Sequence, residues 1–280
     1  MQQRVLAIDG GGTKTDATLR ALDGTVLATA RAGPANLATD PHATQTVIDH
    51  LWRTCAATAH LDPAADAQTT TLSAALAGIS SAPGRRLVQT ASPFGRTLLC
   101  ADAYAAIIGA FEGAPGALLI VGTGTVACRL DAKKNFTRIG GWGFPASDQG
   151  GGAWLGLHLI QAYLTRLDHN DPAPTDAPLA ARLGATRDAI TAWLHTAGPA
   201  DYASLAPLAP PALLDEATRH LAALIRAIGT TPRFALAGGL AATVAPRLEA
   251  IFGPIERPQT PSLNGAFLIA TGQAAPEYAA

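Results

Sequence analysis

The chain has 280 residues, of which 48% are hydrophobic and 15% charged, and this composition excludes a disordered protein and a disulfide-stapled miniprotein. Its 20 Lys and Arg residues nearly balance 21 Asp and Glu residues, so no overall positive field favours nucleic acid or an anionic membrane as a partner. We expect a cytoplasmic protein with a small-molecule ligand, because the three cysteines are scattered, the opening segment lacks the apolar core of a signal peptide, and no long apolar run is present in the sequence.

The first half of the chain is predicted to open as a β-meander. The apolar strand Arg4–Ile8 runs into Asp9 and a glycine-rich turn, and an Asp23-Gly24 hairpin signal separates two further strands. After the meander the pattern predicts a helix opened by Asp40-Pro41, a strand Thr70–Gly78, a loop, a strand Thr97–Asp102 and a helix Ala103–Phe111.

The second half repeats that opening after a loop at Glu112–Gly116. A strand Ala117–Val121, a Gly/Thr turn and two more strands return at an offset of roughly 110 residues, which is an ordinary domain length. We interpret this as an internal duplication with domains 1–113 and 114–280, and we expect the last helix, from about Leu263, to pack on the first domain. Between the repeat and that helix we expect a Gly-rich loop at 140–151, a helix Gly152–Leu167, two helical stretches of which the clearer is Asp215–Ile228, a strand Phe234–Ala237 and a helix Ala241–Phe252.

Two Gly/Thr turns occupy corresponding positions in the repeats and are candidate phosphate cradles. Glycine lets the backbone approach a ligand closely, and clustered amides carry partial positive charge. One such turn could equally be a tight hairpin, but two in register favour phosphate binding. The spacing fits no Walker A loop, and a strand rather than a helix follows the second turn, which argues against a dinucleotide site. The candidate residues are Gly11, Gly12, Thr13 and Lys14 in the first turn and Thr123, Gly124 and Thr125 in the second.

Two carboxylates end buried strands. Asp9 could hold hydrated Mg²⁺ against nucleotide phosphates, although capping the following turn is its ordinary role. Asp102 could act in catalysis or could cap the helix that follows it. Because open sheets bind ligands at the carboxyl ends of their strands, both belong to a candidate site. Lys14 could reach a terminal phosphate, or it could be an exposed strand residue without a function.

The Gly-rich loop Gly140–Gly152 carries the mixture of groups that sugars bind. Asp148 and Gln149 offer hydroxyl partners, and Trp142 could cover an apolar ring face. In the alternative, Trp142 and Phe144 are core residues and Asp148 caps a helix. Asn36 is a further polar candidate whose ordinary explanation is a turn.

Four segments together resemble the phosphate, catalytic and adenosine motifs of the actin-like sugar kinases. They are Ile8–Lys14, Ala101–Ala103, Val121–Thr125 and Leu236–Gly239. Within these kinases the chain is similar to the branch of the N-acetylglucosamine kinases and the BadF/BadG-type ATPases, over nearly its whole length. The resemblance implies an α/β fold of two actin-like, ribonuclease H-like domains with the active site in the interdomain cleft, binding ATP and Mg²⁺, and a homodimer. It also implies that Asp102 is the general base, that Asn36, Asp148 and Gln149 contact the sugar, that the two turns line the ATP phosphates, and that Gly238 and Gly239 flank the adenosine.

More specifically, the segments Phe144–Ala153, Gly33–Asn36 and Asp201–Pro207 look like those of bacterial glucosamine kinases. N-acetylglucosamine kinases usually carry Gly-Asp-Glu-Gly where this chain has Ser147-Asp-Gln-Gly150. The resemblance therefore implies phosphorylation of glucosamine at its C6 hydroxyl, with N-acetylglucosamine as the alternative acceptor. A non-catalytic sugar sensor and a BadF-type activator are the other readings; the latter needs paired cysteines for an iron–sulfur cluster.

Overall fold

A computed structural model of the chain describes residues 3–229 and 233–277. The strands are β1 (Arg4–Gly10), β2 (Thr15–Ala21), β3 (Val26–Ala32), β4 (Thr70–Leu76), β5 (Arg96–Ala101), β6 (Gly116–Val121), β7 (Thr125–Leu130), β8 (Phe136–Gly140) and β9 (Phe234–Ala237). The α-helices are α1 (Pro41–Thr58), α2 (Ala82–Ala91), α3 (Asp102–Phe111), α4 (Gly152–His169), α5 (Asp176–Leu183), α6 (Arg187–Thr196), α7 (Pro199–Ala203), α8 (Pro211–Ile228), α9 (Ala241–Phe252) and α10 (Pro261–Ala270).

The first sheet has five strands in the order β3-β2-β1-β4-β5. The strand β1 pairs antiparallel with β2 and parallel with β4, which in turn pairs parallel with β5. The strands β1 and β4 are apolar and buried along most of their length, as their central positions require. Since β1, β4 and β5 are parallel, their carboxyl ends lie at one edge of the sheet, where residues distant in sequence meet.

The second sheet repeats the arrangement of the first. Its order is β8-β7-β6-β9. The strands β6, β7 and β8 are neighbours in chain order, as β1, β2 and β3 are in the first sheet, and β9 lies beside β6 as β4 lies beside β1. The predicted α/β class with a duplicated meander is thereby confirmed. Each meander follows the same pattern of a buried strand, a Gly/Thr turn and two further strands.

Compact packing divides the chain into two units. Unit 1 contains the described residues of Met1–Leu118, Cys128–Thr137 and Pro258–Ala280, and unit 2 contains those of Leu119–Ala127 and Arg138–Arg257. The continuous domains 1–113 and 114–280 remain the sequence-based description. Within unit 1, α10 packs on α3 and β1, and its Ala266, Phe267 and Ala270 form a buried cluster with Val5 and Ala7 of the central strand.

In unit 2, helix α4 packs on the short helices that follow it. Its Leu159, Ile160 and Tyr163 pack in a buried cluster with apolar residues of α5, α6 and the segment after α7. A salt bridge between Arg166 and Asp176 joins α4 to the start of α5. Because both partners are largely shielded from solvent, this pair helps to fix the far end of α4.

Two sequence expectations about helices were wrong. The stretch between β4 and β5, expected as a loop, holds helix α2, which Ser81 caps by accepting a hydrogen bond from the amide of Gly84. Only Gly84 and Val88 of this helix are buried, and the Pro83-Gly84 pair in its first turn is typical of a loop. Between α4 and β9 the described residues form four α-helices rather than two, because short helices interrupted by Pro and Gly give little periodic signal. Within residues 3–229 and 233–277, no helix has the length and apolarity that crossing a bilayer demands.

Candidate active site

Asp9 and Asp102 meet at the carboxyl edge of the unit 1 sheet. In the ladder Asp9 is level with Ala75 of β4, which is level with Cys100 of β5, and Asp102 follows two residues later. Burial, and after it the negative charges of Asp102 and Asp16, raise the pKa of Asp9 to about 6. The parallel pairing therefore brings two carboxylates close enough to repel each other, and a cation bound there would relieve that repulsion.

Asp102 is the first residue of α3. Its Oδ1 accepts a hydrogen bond of 2.8 Å from the amide of Ala103. Ala101, the extended N-cap residue, has no side chain that can cap the helix. The positive end of the helix dipole favours a negative charge at this position, so the capping role and a functional role for Asp102 are compatible.

The first Gly/Thr turn leaves β1 at the same edge. The amide of Gly11 donates to the carbonyl of Lys14 at 3.1 Å, and Gly12, Thr13 and Lys14 are exposed. The Lys14 ammonium lies 2.8 Å from Oδ2 of Asp16. Burial alone would raise the pKa of Asp16, but hydrogen bonds from Arg31 and Lys14 outweigh it and lower that pKa. Lys14 is thus held by an exposed ion pair that a phosphate could replace at small cost.

Asn36 is also at this edge, next to the end of β4. It forms an isolated parallel bridge with Ala77, and its Oδ1 accepts hydrogen bonds from the amides of Ala38 at 2.9 Å and Thr39 at 3.3 Å. A Cβ on Gly78 would lie 2.2 Å from that oxygen, so the chain needs glycine there. Asn36 therefore has the turn-forming role expected of it, beside the strand end where a ligand would lie.

The second Gly/Thr turn, in unit 2, is tied to the start of α4. The amide of Gly122 donates to the carbonyl of Gly124 at 2.9 Å, while the amides of Gly152 and Ala153 donate to the carbonyls of Gly122 and Thr123 at 2.8 and 2.9 Å. The hydroxyl of Thr125 donates to the carbonyl of Gln149 at 3.3 Å. These bonds connect the predicted phosphate turn to the predicted sugar loop within one unit.

Asp148 lies beneath that turn. Its side chain is part of a residue only 8% exposed, and its backbone has a φ of 69°, in the left-handed region. A Cβ on Gly124 would lie 2.1 Å from Oδ2 of Asp148, so any larger residue there would force the carboxylate to move. Burial raises the pKa of Asp148, an effect that the backbone amides of Gly143 and Thr125 partly offset. Its Oδ1 is buried without a hydrogen-bond partner. The helix-capping alternative is wrong, because Gly151 is the N-cap residue of α4.

The predicted adenosine turn lies against the same strand end. The amide of Leu240 donates to the carbonyl of Val121 at 2.9 Å. Gly238 has a φ of 100°, and a Cβ there would lie 2.3 Å from the same carbonyl oxygen. A Cβ on Gly122 would lie 4.0 Å from the amide nitrogen of Gly239. Unit 2 thus groups the second phosphate turn, Asp148, Gln149 and the Gly238-Gly239 turn.

The aromatic residues of the Gly-rich loop have different environments. Trp142 is 84% exposed, so the alternative that places it in the core is wrong. Phe144 is half-buried, and its ring centroid lies 5.0 Å from that of Tyr202. Trp142 is consequently available to a ligand, whereas Phe144 anchors the loop.

Two residues that the sequence analysis did not single out reach the unit 1 edge. The hydroxyl of Ser262, at the start of α10, hydrogen-bonds to Asp9 and lowers its pKa. Glu277 accepts a hydrogen bond of 2.6 Å from the amide of Ala101, next to Asp102. Neither residue belongs to a local motif, so only the packing of α10 on α3 reveals them.

Asp9 fits the role of a Mg²⁺ ligand. Magnesium beside nucleotide phosphates is usually held by one or two carboxylates, with phosphate and water oxygens completing its shell. The Asp9 carboxylate is shielded and carries like-charge repulsion from Asp102, which a cation would offset. Among the residues that the structure describes, no three His, Cys, Asp or Glu side chains are grouped to hold a metal. A metal at Asp9 would thus depend on phosphates for further ligands.

The chain is similar to several known proteins. The model of the BadF/BadG/BcrA/BcrD ATPase family matches residues 6–267. Glucosamine kinase GspK of Vibrio cholerae is 36% identical over 205 residues, covering 72% of this chain and 69% of that protein. An N-acetylmuramic acid/N-acetylglucosamine kinase of Clostridium acetobutylicum is 26% identical over 169 residues, 59% of this chain and 54% of that protein. A crystal structure from Chromobacterium violaceum, provisionally assigned as an N-acetylglucosamine kinase, superposes with a TM-score of 0.88 at 30% identity, covering 96% of this chain and 99% of the other.

Proposed function

The chain belongs to the BadF/BadG/BcrA/BcrD ATPase family, and on that premise we propose that it is an ATP-dependent hexosamine kinase that phosphorylates the C6 hydroxyl of glucosamine. One observation carries the proposal: Asp9 and Asp102 converge at the carboxyl edge of the unit 1 sheet, beside an exposed Gly/Thr turn. The similarity to a glucosamine kinase supports the choice of acceptor.

Phosphoryl transfer needs alignment and charge neutralisation more than covalent chemistry from the protein. When bound, Mg²⁺ would supply positive charge against the phosphates, and Asp9 is the residue that we propose to hold it. The exposed turn of Gly12, Thr13 and Lys14 would bind phosphate oxygens, with the Lys14 ammonium exchanging Asp16 for a phosphate. In unit 2 we assign the same task to Thr123, Gly124 and Thr125, and adenosine binding to the Gly238-Gly239 turn.

Asp102 is the proposed general base. Its position at the start of α3 favours the ionised carboxylate, which the role requires. Oδ1 is engaged by the amide of Ala103, which fixes the orientation of the carboxyl group. The carboxylate would accept the proton of the C6 hydroxyl as that oxygen attacks the γ-phosphorus, while the bond from the γ-phosphorus to the bridging oxygen breaks and ADP leaves. A group in this role contributes about 10²- to 10⁴-fold to the rate.

Asn36, Asp148 and Gln149 are the proposed sugar contacts. The Oδ1 of Asp148 is a buried acceptor without a hydrogen-bond partner, and a C2 ammonium would supply one. Because glucosamine carries that ammonium and N-acetylglucosamine does not, Asp148 is the proposed determinant of the preference between them. Trp142, exposed in the same loop, is free of core packing and could cover an apolar face of the ring.

The test is an assay of ADP release with ATP and Mg²⁺ across glucosamine, N-acetylglucosamine, glucose and mannose. Asp102→Asn should lower kcat on the best sugar by about 10²- to 10⁴-fold, while ATP binding measured by calorimetry stays within about twofold. Asp49→Asn, which removes an exposed carboxylate paired with Arg53, is the matched control and should retain full activity. Full activity of Asp102→Asn would exclude Asp102 as the base. A wild-type protein that binds sugars but phosphorylates none of them would favour the sensor.

N-acetylglucosamine is the alternative acceptor. Two of the relatives above are named for kinases of this sugar, and one of them superposes along nearly the whole chain. The same assay separates the two, because a higher kcat/KM for N-acetylglucosamine than for glucosamine would replace the first proposal with the second.

A further inference from the structure

The segment that follows α10 returns to the carboxyl edge of the unit 1 sheet. The hydroxyl of Tyr104, in the first turn of α3, donates to the carbonyl of Ala275 at 3.0 Å. Two residues later, Oε2 of Glu277 accepts a hydrogen bond of 2.6 Å from the backbone amide of Ala101. This segment is therefore attached to α3 at two points, and the second lies one residue before Asp102.

The route of this segment is set by a close helix crossing. A Cβ on Gly265 of α10 would lie 1.8 Å from the carbonyl oxygen of Ala105, and one on Gly109 of α3 would lie 1.9 Å from that of Pro261. Glycine at both positions lets the two helix backbones touch. Since α10 is fixed on α3 in this way, the chain leaving α10 starts from a defined place, and the Tyr104 bond directs it toward Ala101.

The Glu277 carboxylate acts where α3 lacks a cap of its own. Ala101 is the N-cap residue of α3 and its methyl side chain can make no capping hydrogen bond. It also ends β5, the edge strand of the sheet. A carboxylate accepting from a backbone amide at a helix N-terminus makes a short, charge-assisted bond, and the helix dipole favours its negative charge.

Glu277 is also near both proposed functional carboxylates. The thiol of Cys100 is fully enclosed, and burial, then the charges of Glu277, Asp102 and Asp9, raise its pKa well above its ordinary value. All three carboxylates are thus within electrostatic range of one buried atom at the end of β5. Glu277 also bonds to the backbone amide of Ala101, the residue before Asp102.

We propose that Glu277 is a positioning residue for the kinase reaction, holding the Ala101 peptide so that the Asp102 carboxylate keeps the place from which it accepts the C6 hydroxyl proton. This inference rests on the proposed function, because it requires Asp102 to be the base. Displacement of a catalytic group by about 1 Å can cost about 100-fold in rate. Loss of the hydrogen bond between Glu277 and Ala101 should therefore lower kcat and leave the binding of sugar and nucleotide unchanged.

Steady-state kinetics of Glu277→Ala and Glu277→Gln on the best sugar test this. Glu277→Ala should lower kcat by about 10- to 100-fold, with both KM values within about twofold. Glu277→Gln should recover most of that loss, because the carboxamide oxygen can still accept from the Ala101 amide. Tyr104→Phe removes the hydrogen bond to the carbonyl of Ala275 and should lower kcat by a smaller factor than Glu277→Ala does. Glu256→Ala, which removes an exposed glutamate paired with Arg233 in unit 2, is the control and should behave as wild type.

The outcomes separate the two proposals. A wild-type protein that phosphorylates no hexosamine overturns the proposed function, and this inference with it. An active wild-type protein whose Glu277→Ala variant keeps its kcat overturns only the inference. A loss confined to KM, or a Gln variant as impaired as the Ala variant, also overturns it, because neither follows from a lost backbone tie. Assays well below the unfolding midpoint of each variant keep a fall in kcat separate from a loss of folded protein.

Discussion

Replacing Asp9 with Asn should stabilise the ligand-free protein while removing its activity. The pKa of Asp9 is raised from its ordinary 3.8 to about 6, chiefly by burial, so the folded protein binds the proton more tightly than the unfolded chain does. A raised carboxyl pKa gives stability that is fully present below pH 3.8 and is lost as the pH rises through about 6. Between those values the free energy of unfolding falls by about 1.4 kcal/mol for each pH unit. The raised pKa of Asp9 therefore lowers the free energy of unfolding by about 3 kcal/mol at pH 7.5 and by about 1 kcal/mol at pH 4.5, relative to its value at low pH.

Thermal unfolding in chelator without nucleotide measures this difference. Asp9→Asn, which is uncharged in both states, should unfold several degrees higher than wild type at pH 7.5, and the gap should narrow toward pH 4.5. Exposed Asp23 is the control: the amide of Thr25 lowers its pKa, so Asp23→Asn should gain nothing at pH 7.5. The reasoning would be refuted if Asp9→Asn and wild type unfolded at the same temperature, or if their difference in unfolding temperature were equal at both pH values. The same variant should lose kinase turnover, because Asp9 is the proposed Mg²⁺ ligand.

The site yields three further predictions. Gly124→Ala should cost about 1 to 3 kcal/mol of stability and raise the KM for ATP, because its Cβ would lie 2.1 Å from Oδ2 of Asp148. The control is Gly33→Ala, at an exposed position where a Cβ would meet no atom within 4 Å. Equal stability of the two variants would contradict the packing argument. Asp148→Asn should lower the ratio of kcat/KM for glucosamine to that for N-acetylglucosamine, and an unchanged ratio would remove the proposed ammonium contact. Chelation should abolish ADP release and added Mg²⁺ should restore it; turnover that persists in chelator would argue against Mg²⁺ in the reaction.

Tertiary contacts decided which polar residues belong to the candidate site. Ser262 and Glu277 carry no local signal, since a serine near a helix start and a glutamate near a chain end are common on any surface. They reach Asp9 and Ala101 only because glycines allow α10 to touch α3. The sequence analysis selected Asp148 because its loop carries the types of residue that bind sugars. The burial of Asp148 beneath Gly124 depends on how that loop folds over the second Gly/Thr turn.

The sequence by itself determined the short-range features. Apolar runs ending in Gly and Thr specify strands that lead into tight turns, and the recurrence of that order predicted two like meanders, because strand periodicity and turn chemistry act over a few residues. The sequence analysis missed helix α2 because a Pro-Gly pair, typical of a loop, occupies its first turn and few of its residues are buried. Only the tertiary structure could place Asp102 beside Asp9, since that depends on the parallel pairing of β1 with β4 and β4 with β5, a long-range choice that no local pattern encodes.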